Sequence, residues 1–82
     1  MSHTPHELHD EFPQDADILH RLKMFDAHFQ KVAGEYHAIN REIHRIEAEV
    51  DAASDERLEA LKKQRLSLLD QVSGMIGRAK AA

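Results

Sequence analysis

Seven histidines are the first side chains in this sequence that could do chemistry. His3, His6 and His9 recur every three residues with Glu7 and Asp10 close by, and on a short helix they would occupy neighbouring positions, as the ligands of a transition-metal ion do. His3 could also join the terminal amine in a copper or nickel site if Met1 is retained, but Ser2 favours its removal. Histidines placed so near a chain end read first as solvated polar residues, so no metal and no cofactor are assigned. His37 and His44 lie about 10.5 Å apart along a helix, too far to share one ion. With His20 and His28 they fall on or beside a polar face. That face is either simply solvated or gains charge below about pH 6.5, which would alter assembly.

Arg57, Lys62, Lys63 and Arg65 form the one basic cluster. Phosphate binding would need these residues on an accessible face, preferably with aromatics for stacking, and none is near. Flanking charges of a helical seam explain the cluster better, and nucleic-acid binding through these four residues is kept as the alternative function. Catalytic motifs are missing: there is no glycine-rich phosphate loop, no serine in a nucleophile turn and no histidine-glutamate pair at zinc-protease spacing. The chain has no cysteine, which removes disulfides, thiolate zinc sites and cysteine nucleophiles together. Tyr36 falls in register with an apolar helical seam and reads as core rather than as an acid. The expectation is a non-enzymatic protein without a small-molecule substrate, since two helices alone offer no concave pocket.

The elements that must position these residues are helical. Ile18, Leu22, Phe25, Phe29, Val32, Tyr36, Ile39, Ile43, Ile46 and Val50 are spaced alternately by four and three, one continuous 3.5-residue seam. Pro13 can open this helix, with Asp15 and Asp17 facing the positive end of its dipole. Gly34 is its one weak point, costing about 1 kcal/mol relative to alanine, and lies opposite the seam. Ala52 to Asp55 make a short break with Ser54 as cap, and a short connection makes the helices antiparallel neighbours. A second helix then carries Leu58, Leu61, Leu68, Val72 and Met75, with Arg65 at a core position and its guanidinium expected near Glu42 or Glu47. Ahead of both, Thr4, Pro5 and Glu7 fit a capped helical turn whose apolar face is Leu8 and Phe12, ended by Pro13.

The predicted architecture is therefore all-α: an antiparallel two-helix coiled-coil hairpin in one domain, 1–82. Its parts are an amino-terminal turn (1–12), a long helix (14–51) and a shorter second helix (55–78). At 1.5 Å per residue the long helix measures about 57 Å against about 37 Å for its partner, so Ile18, Leu22 and Phe25 overhang the hairpin. The turn bearing Leu8 and Phe12 is the one internal candidate to cover them. Leu66, Leu69 and Ile76 add a second apolar stripe to the second helix, and a helix greasy on two sides has two neighbours. Self-association as a dimer or tetramer, or an unidentified protein partner, is expected through Ile18, Leu22, Phe25, Phe29, Leu66, Leu69 and Ile76.

Charge is spread unevenly along the net -4 chain. Residues 1–52 hold eleven acids against five Lys or Arg, net -6, and residues 53–82 hold four against six, net +2. Attraction between antiparallel helices of opposite charge accounts for this. No apolar run approaches a membrane span and no signal segment is visible, so a cytoplasmic location is expected.

The run Leu22-Lys23, Asp26-Ala27-His28-Phe29, Tyr36-His37 and Glu42-Ile43, followed by Leu61-Lys62-Lys63-Gln64-Arg65-Leu66-Ser67-Leu68 and Asp70, resembles the YdcH-like family of small bacterial proteins. The opening His6-Glu7-Leu8-His9 with Glu11-Phe12-Pro13 is similar to its members as well. The resemblance implies a helical hairpin of unknown biochemical function. One departure is Leu69, where many members carry lysine before the final aspartate; it makes the second helix more apolar and removes one positive charge.

Overall fold

Tyr36, Ile43 and Val72 have no exposed surface, and they mark the line along which two helices meet. The computed structural model describes residues 5–81 and contains no strand among them. Its elements are α1 (Leu8–Glu11), a 3₁₀ turn (Pro13–Asp15), α2 (Ala16–Phe25), α3 (Ala27–Glu47) and α4 (Asp55–Ala81). α3 and α4 pair as the hairpin. Their antiparallel sense follows from the cross-links: Glu47 meets Lys62 at 3.4 Å, while Asn40, seven residues earlier, accepts from Arg65 at 3.0 Å.

Each helix end has a local cause. Ser54 Oγ accepts the Arg57 N–H at 3.1 Å and so caps α4. α3 stops four residues before position 51, where the seam spacing predicts its end, because Glu49 takes a left-handed φ of 61°. The Val50 N–H then reaches the Arg45 carbonyl and the Glu49 N–H the Ile46 carbonyl, the paired bonds of a Schellman termination. Arg45 Nε clasps Asp51 Oδ2 at 2.9 Å across this turn. The connection therefore runs over residues 48–54, longer than the expected break. Val50 leaves the seam for the loop, where it is exposed.

The larger correction is that the long helix is two helices. At Asp26 the backbone becomes extended (φ -116°, ψ 106°) and Asp26 Oδ1 accepts the Phe29 N–H at 2.9 Å, so the side chain that would lie idle in mid-helix caps a new one. Gln30 Nε2 donates to the Lys23 carbonyl at 2.8 Å and stitches the two pieces together. α2 then folds against both α3 and α4 across the open end of the hairpin, and Lys80 Nζ reaches Asp15 Oδ1 at 2.8 Å. A straight helix over 14–51 would span about 57 Å, whereas the longest dimension is 43 Å. The overhang is thus largely absorbed within the chain: Leu19 joins the core, with Ile18 and Leu22 packed against it.

The amino-terminal turn also differs from expectation. Thr4, its expected cap, lies outside the described residues, and Pro5 and His6 form a turn with His6 at φ 64°, so that helix begins at Leu8. Leu8 is buried in the same core cluster as Leu19, Phe29 and Tyr36. Cations of the second half meet acids of the first at Arg57–Glu42, Lys62–Glu47 and Lys80–Asp15, so the charge asymmetry is satisfied between elements of one chain. No helix of the described residues is long and apolar enough to cross a membrane.

Candidate functional site

Asn40, 1% exposed, is a polar side chain set into the hairpin core. A buried amide must be paired, and it is: Nδ2 donates to the Pro5 carbonyl at 2.8 Å while Oδ1 accepts from Arg65 Nη1 at 3.0 Å. Arg65 is therefore not directed at Glu42 or Glu47, which Arg57 and Lys62 already occupy. One turn earlier Tyr36 donates its hydroxyl to the His6 carbonyl at 2.5 Å, and between the two His37 Nδ1 meets Glu7 Oε2 at 2.7 Å. Three consecutive residues of the amino-terminal segment are thereby held by α3. Burial, reinforced by the charges of Glu11, Glu7 and Asp10 and opposed by that of Arg65, pushes the Tyr36 phenol up to about 12. Tyr36 is a fixed neutral donor, which suits a clasp and not proton transfer near neutrality.

This clasp and the break at Asp26 create a concavity that a bare hairpin lacks, correcting the expectation of no pocket. A groove of about 450 Å³ lies between α1, α2 and α3. Leu8, Leu19, Phe29 and Ala33 give it apolar walls; His9, His20, Lys23, Gln30 and His37 supply its polar groups. Gly34 borders it as well, and a Cβ there would meet nothing within 4 Å. A second recess of about 320 Å³ opens on the other side of α2, among Ile18, Leu22, Phe25 and Ala79.

The predicted interaction residues separate into three groups. Phe29 and Ile76 are buried within the chain; Ile18, Leu22 and Leu69 are half-buried against its core; Phe25 and Leu66 remain exposed, at 84% and 59%. Phe25 owes its exposure to the break, being the last residue of α2 before the chain turns. Of the basic cluster, Arg57, Lys62 and Arg65 are engaged by Glu42, Glu47 and Asn40, and Lys63 projects outward. Of the first histidines, His3 lies outside the described residues, His6 Nδ1 pairs with Glu11 Oε1 at 2.8 Å, and His9 lies 3.4 Å from Asp10. Among the described residues no three potential ligands converge on a metal position.

Residues 29–76, that is 48 of the 82, match the model of a family described as a protein of unknown function, DUF465. The chain belongs to this family. YdcH-like proteins are among its members, in keeping with the resemblance carried by the second-helix motif. The family match covers most of α3 and of α4, the body of the hairpin, and leaves α1 and α2 outside. No curated protein matches the chain, and no solved structure does.

Reasoning from the sequence missed Leu19 and Asn40. Leu19 is one residue out of phase with the seam, and only a break between it and Phe29 can bring both into one core. The signal for that break was Asp26, a strong capping residue in the middle of a supposed helix. Asn40 stands next to Ile39, where a buried polar group can be recognised only once its partners, Pro5 and Arg65, are known.

Proposed function

We propose that this protein is a non-enzymatic self-association module, in which two copies pair through the outer face of α2. The observation that carries the reading is Phe25, 84% exposed, with its neighbour Met24, a second large apolar side chain of α2, exposed at 57%. An aromatic side chain left in water forgoes about 1.5–3 kcal/mol of burial free energy. Phe25 itself forms one wall of the second recess, with Ile18, Leu22 and Ala79. Under two-fold symmetry each Phe25 ring would be set against the Ile18, Leu22 and Ala79 surface of the other copy. Leu66 stands alone on α4, and a single exposed leucine needs no partner.

Solution mass by light scattering, over a range of concentrations, tests the proposal. The expected result is a dimer that Phe25→Asp converts to monomer while its helical circular dichroism is retained. A monomer at every concentration, or a mass unaffected by Phe25→Asp, would overturn it. Nucleic-acid binding by Arg57, Lys62, Lys63 and Arg65 finds no support in the engagement of three of these four by groups of the same chain.

A further inference from the structure

A net-negative chain with fifteen acids encloses a groove whose lining contains three histidines, one lysine and neither Asp nor Glu. His37 already faces Glu7 and His9 lies beside Asp10, so two basic groups of the lining are balanced from outside it. His20 and Lys23 have no ion pair among the described residues; they sit three apart, on the same side of α2 and one turn from each other. Between these polar groups lie Leu8, Leu19, Phe29 and Ala33. A concavity of this volume, lined by apolar side chains and by polar groups from all three helices, has the form of a small-ligand site. We propose that the groove between α1, α2 and α3 binds a free medium-chain aliphatic carboxylate, its tail along Ala33 and Gly34, over the edges of Leu19 and Phe29, and its carboxylate between Lys23 and His20.

Charge complementarity selects this occupant. An apolar tail alone would leave the ammonium of Lys23 unanswered, and a cationic head would be repelled by the only charges the lining supplies. The site is distinct from the Phe25 face, which lies across α2, and does not depend on pairing of the chain. Gly34 provides a clean probe. Its missing side chain leaves open space at the groove, so Gly34→Leu puts a bulky apolar group where the tail would lie and improves helix propensity at the same time.

The experiment is titration of the isotope-labelled full chain with sodium decanoate below its micelle threshold, followed by amide chemical shifts, with decanol and decyltrimethylammonium as controls. The proposal expects saturable decanoate shifts at Leu19, Phe29, Ala33 and Gly34, at least about tenfold stronger than those of the uncharged or cationic analogue. Gly34→Leu abolishes them with helicity kept, Lys23→Glu weakens binding by at least about fivefold, and Phe25→Asp leaves it intact. Equal response to decanol, shifts centred on Phe25, or binding unchanged in Gly34→Leu and Lys23→Glu would overturn it. So would groove shifts appearing when the ligand-free chain is concentrated, for then a second copy is the occupant.

Discussion

Replacing Asn40 with alanine tests whether the amino-terminal clasp is part of the folding unit. The substitution deletes a neutral hydrogen bond to the Pro5 carbonyl and a charged one from Arg65. A neutral bond is worth about 1 kcal/mol net and one to a charged group about 1.5–3 kcal/mol. Arg65 is half-buried and can recover part of its loss from water, so the expected total is about 2–3 kcal/mol. For a chain of this length that corresponds to a fall in melting temperature of roughly 10–20 °C. Urea unfolding followed by circular dichroism at several protein concentrations gives the number, and amide exchange in α1 gives its location. Tyr36→Phe, which removes one bond to the His6 carbonyl, should cost about 1 kcal/mol. Because both side chains hold the same segment, the double variant should lose less than the sum of the two. A loss below about 0.5 kcal/mol for Asn40→Ala, or unaltered protection of α1, would refute the reasoning: the segment would then not be held by α3.

Three further outcomes are expected. Tyr36 is the single tyrosine, so its ionisation can be followed directly by ultraviolet difference absorbance. In the folded chain the midpoint should lie near 12, and since the unfolded phenol releases its proton near 10, this contribution to stability is complete below pH 10 and lost between pH 10 and 12; a folded midpoint near 10 would contradict the burial argument. Glu49→Gly should raise stability by about 0.5–1 kcal/mol, since it relieves a left-handed residue at φ 61° at a smaller cost in backbone entropy, and a loss of stability on thermal melting would contradict this. Asp26→Ala should cost about 1 kcal/mol through the lost cap while X-ray scattering of the monomer keeps its radius of gyration, because Leu19 still packs in the core; an elongated particle would mean that the cap alone bends the chain.

The hairpin was legible in the sequence because a seam of alternating four- and three-residue steps reports one helix packed lengthwise on another, and Phe29, Val32, Tyr36 and Ile43 are buried where that seam puts them. It misled at both ends of the first helix for the same reason. Periodicity registers the apolar residues and is indifferent to the backbone joining them, so it ran unbroken through Asp26 and on to Val50. The decisive events there are local and polar: a carboxylate accepting the Phe29 N–H, and a left-handed Glu49 closing a Schellman turn. Neither changes the spacing of apolar residues. The sites were less legible still, since Lys23, His20, Phe29 and Gly34 acquire a common surface only after the chain has turned.

That turn links the two binding proposals to one cause. An uninterrupted helix through Asp26 would carry Ile18, Leu22 and Phe25 beyond the end of α4 and would leave Leu19 on the opposite side, with no groove. Once Asp26 caps α3, α2 lies over the open end of the hairpin, which exposes Phe25 at the corner and roofs the space beside Gly34 and Phe29. Both surfaces depend on α2, and the groove on α1 as well, whereas the family match spans the hairpin alone. The hairpin core around Tyr36 and Val72 is completed by Leu8 and Leu19 from these two segments. In this chain the groove accordingly rests on the residues ahead of Phe29: Leu8 and Leu19 packing with Phe29 hold α1 and α2 in place, and the cap at Asp26 adds to the bend without being its sole cause.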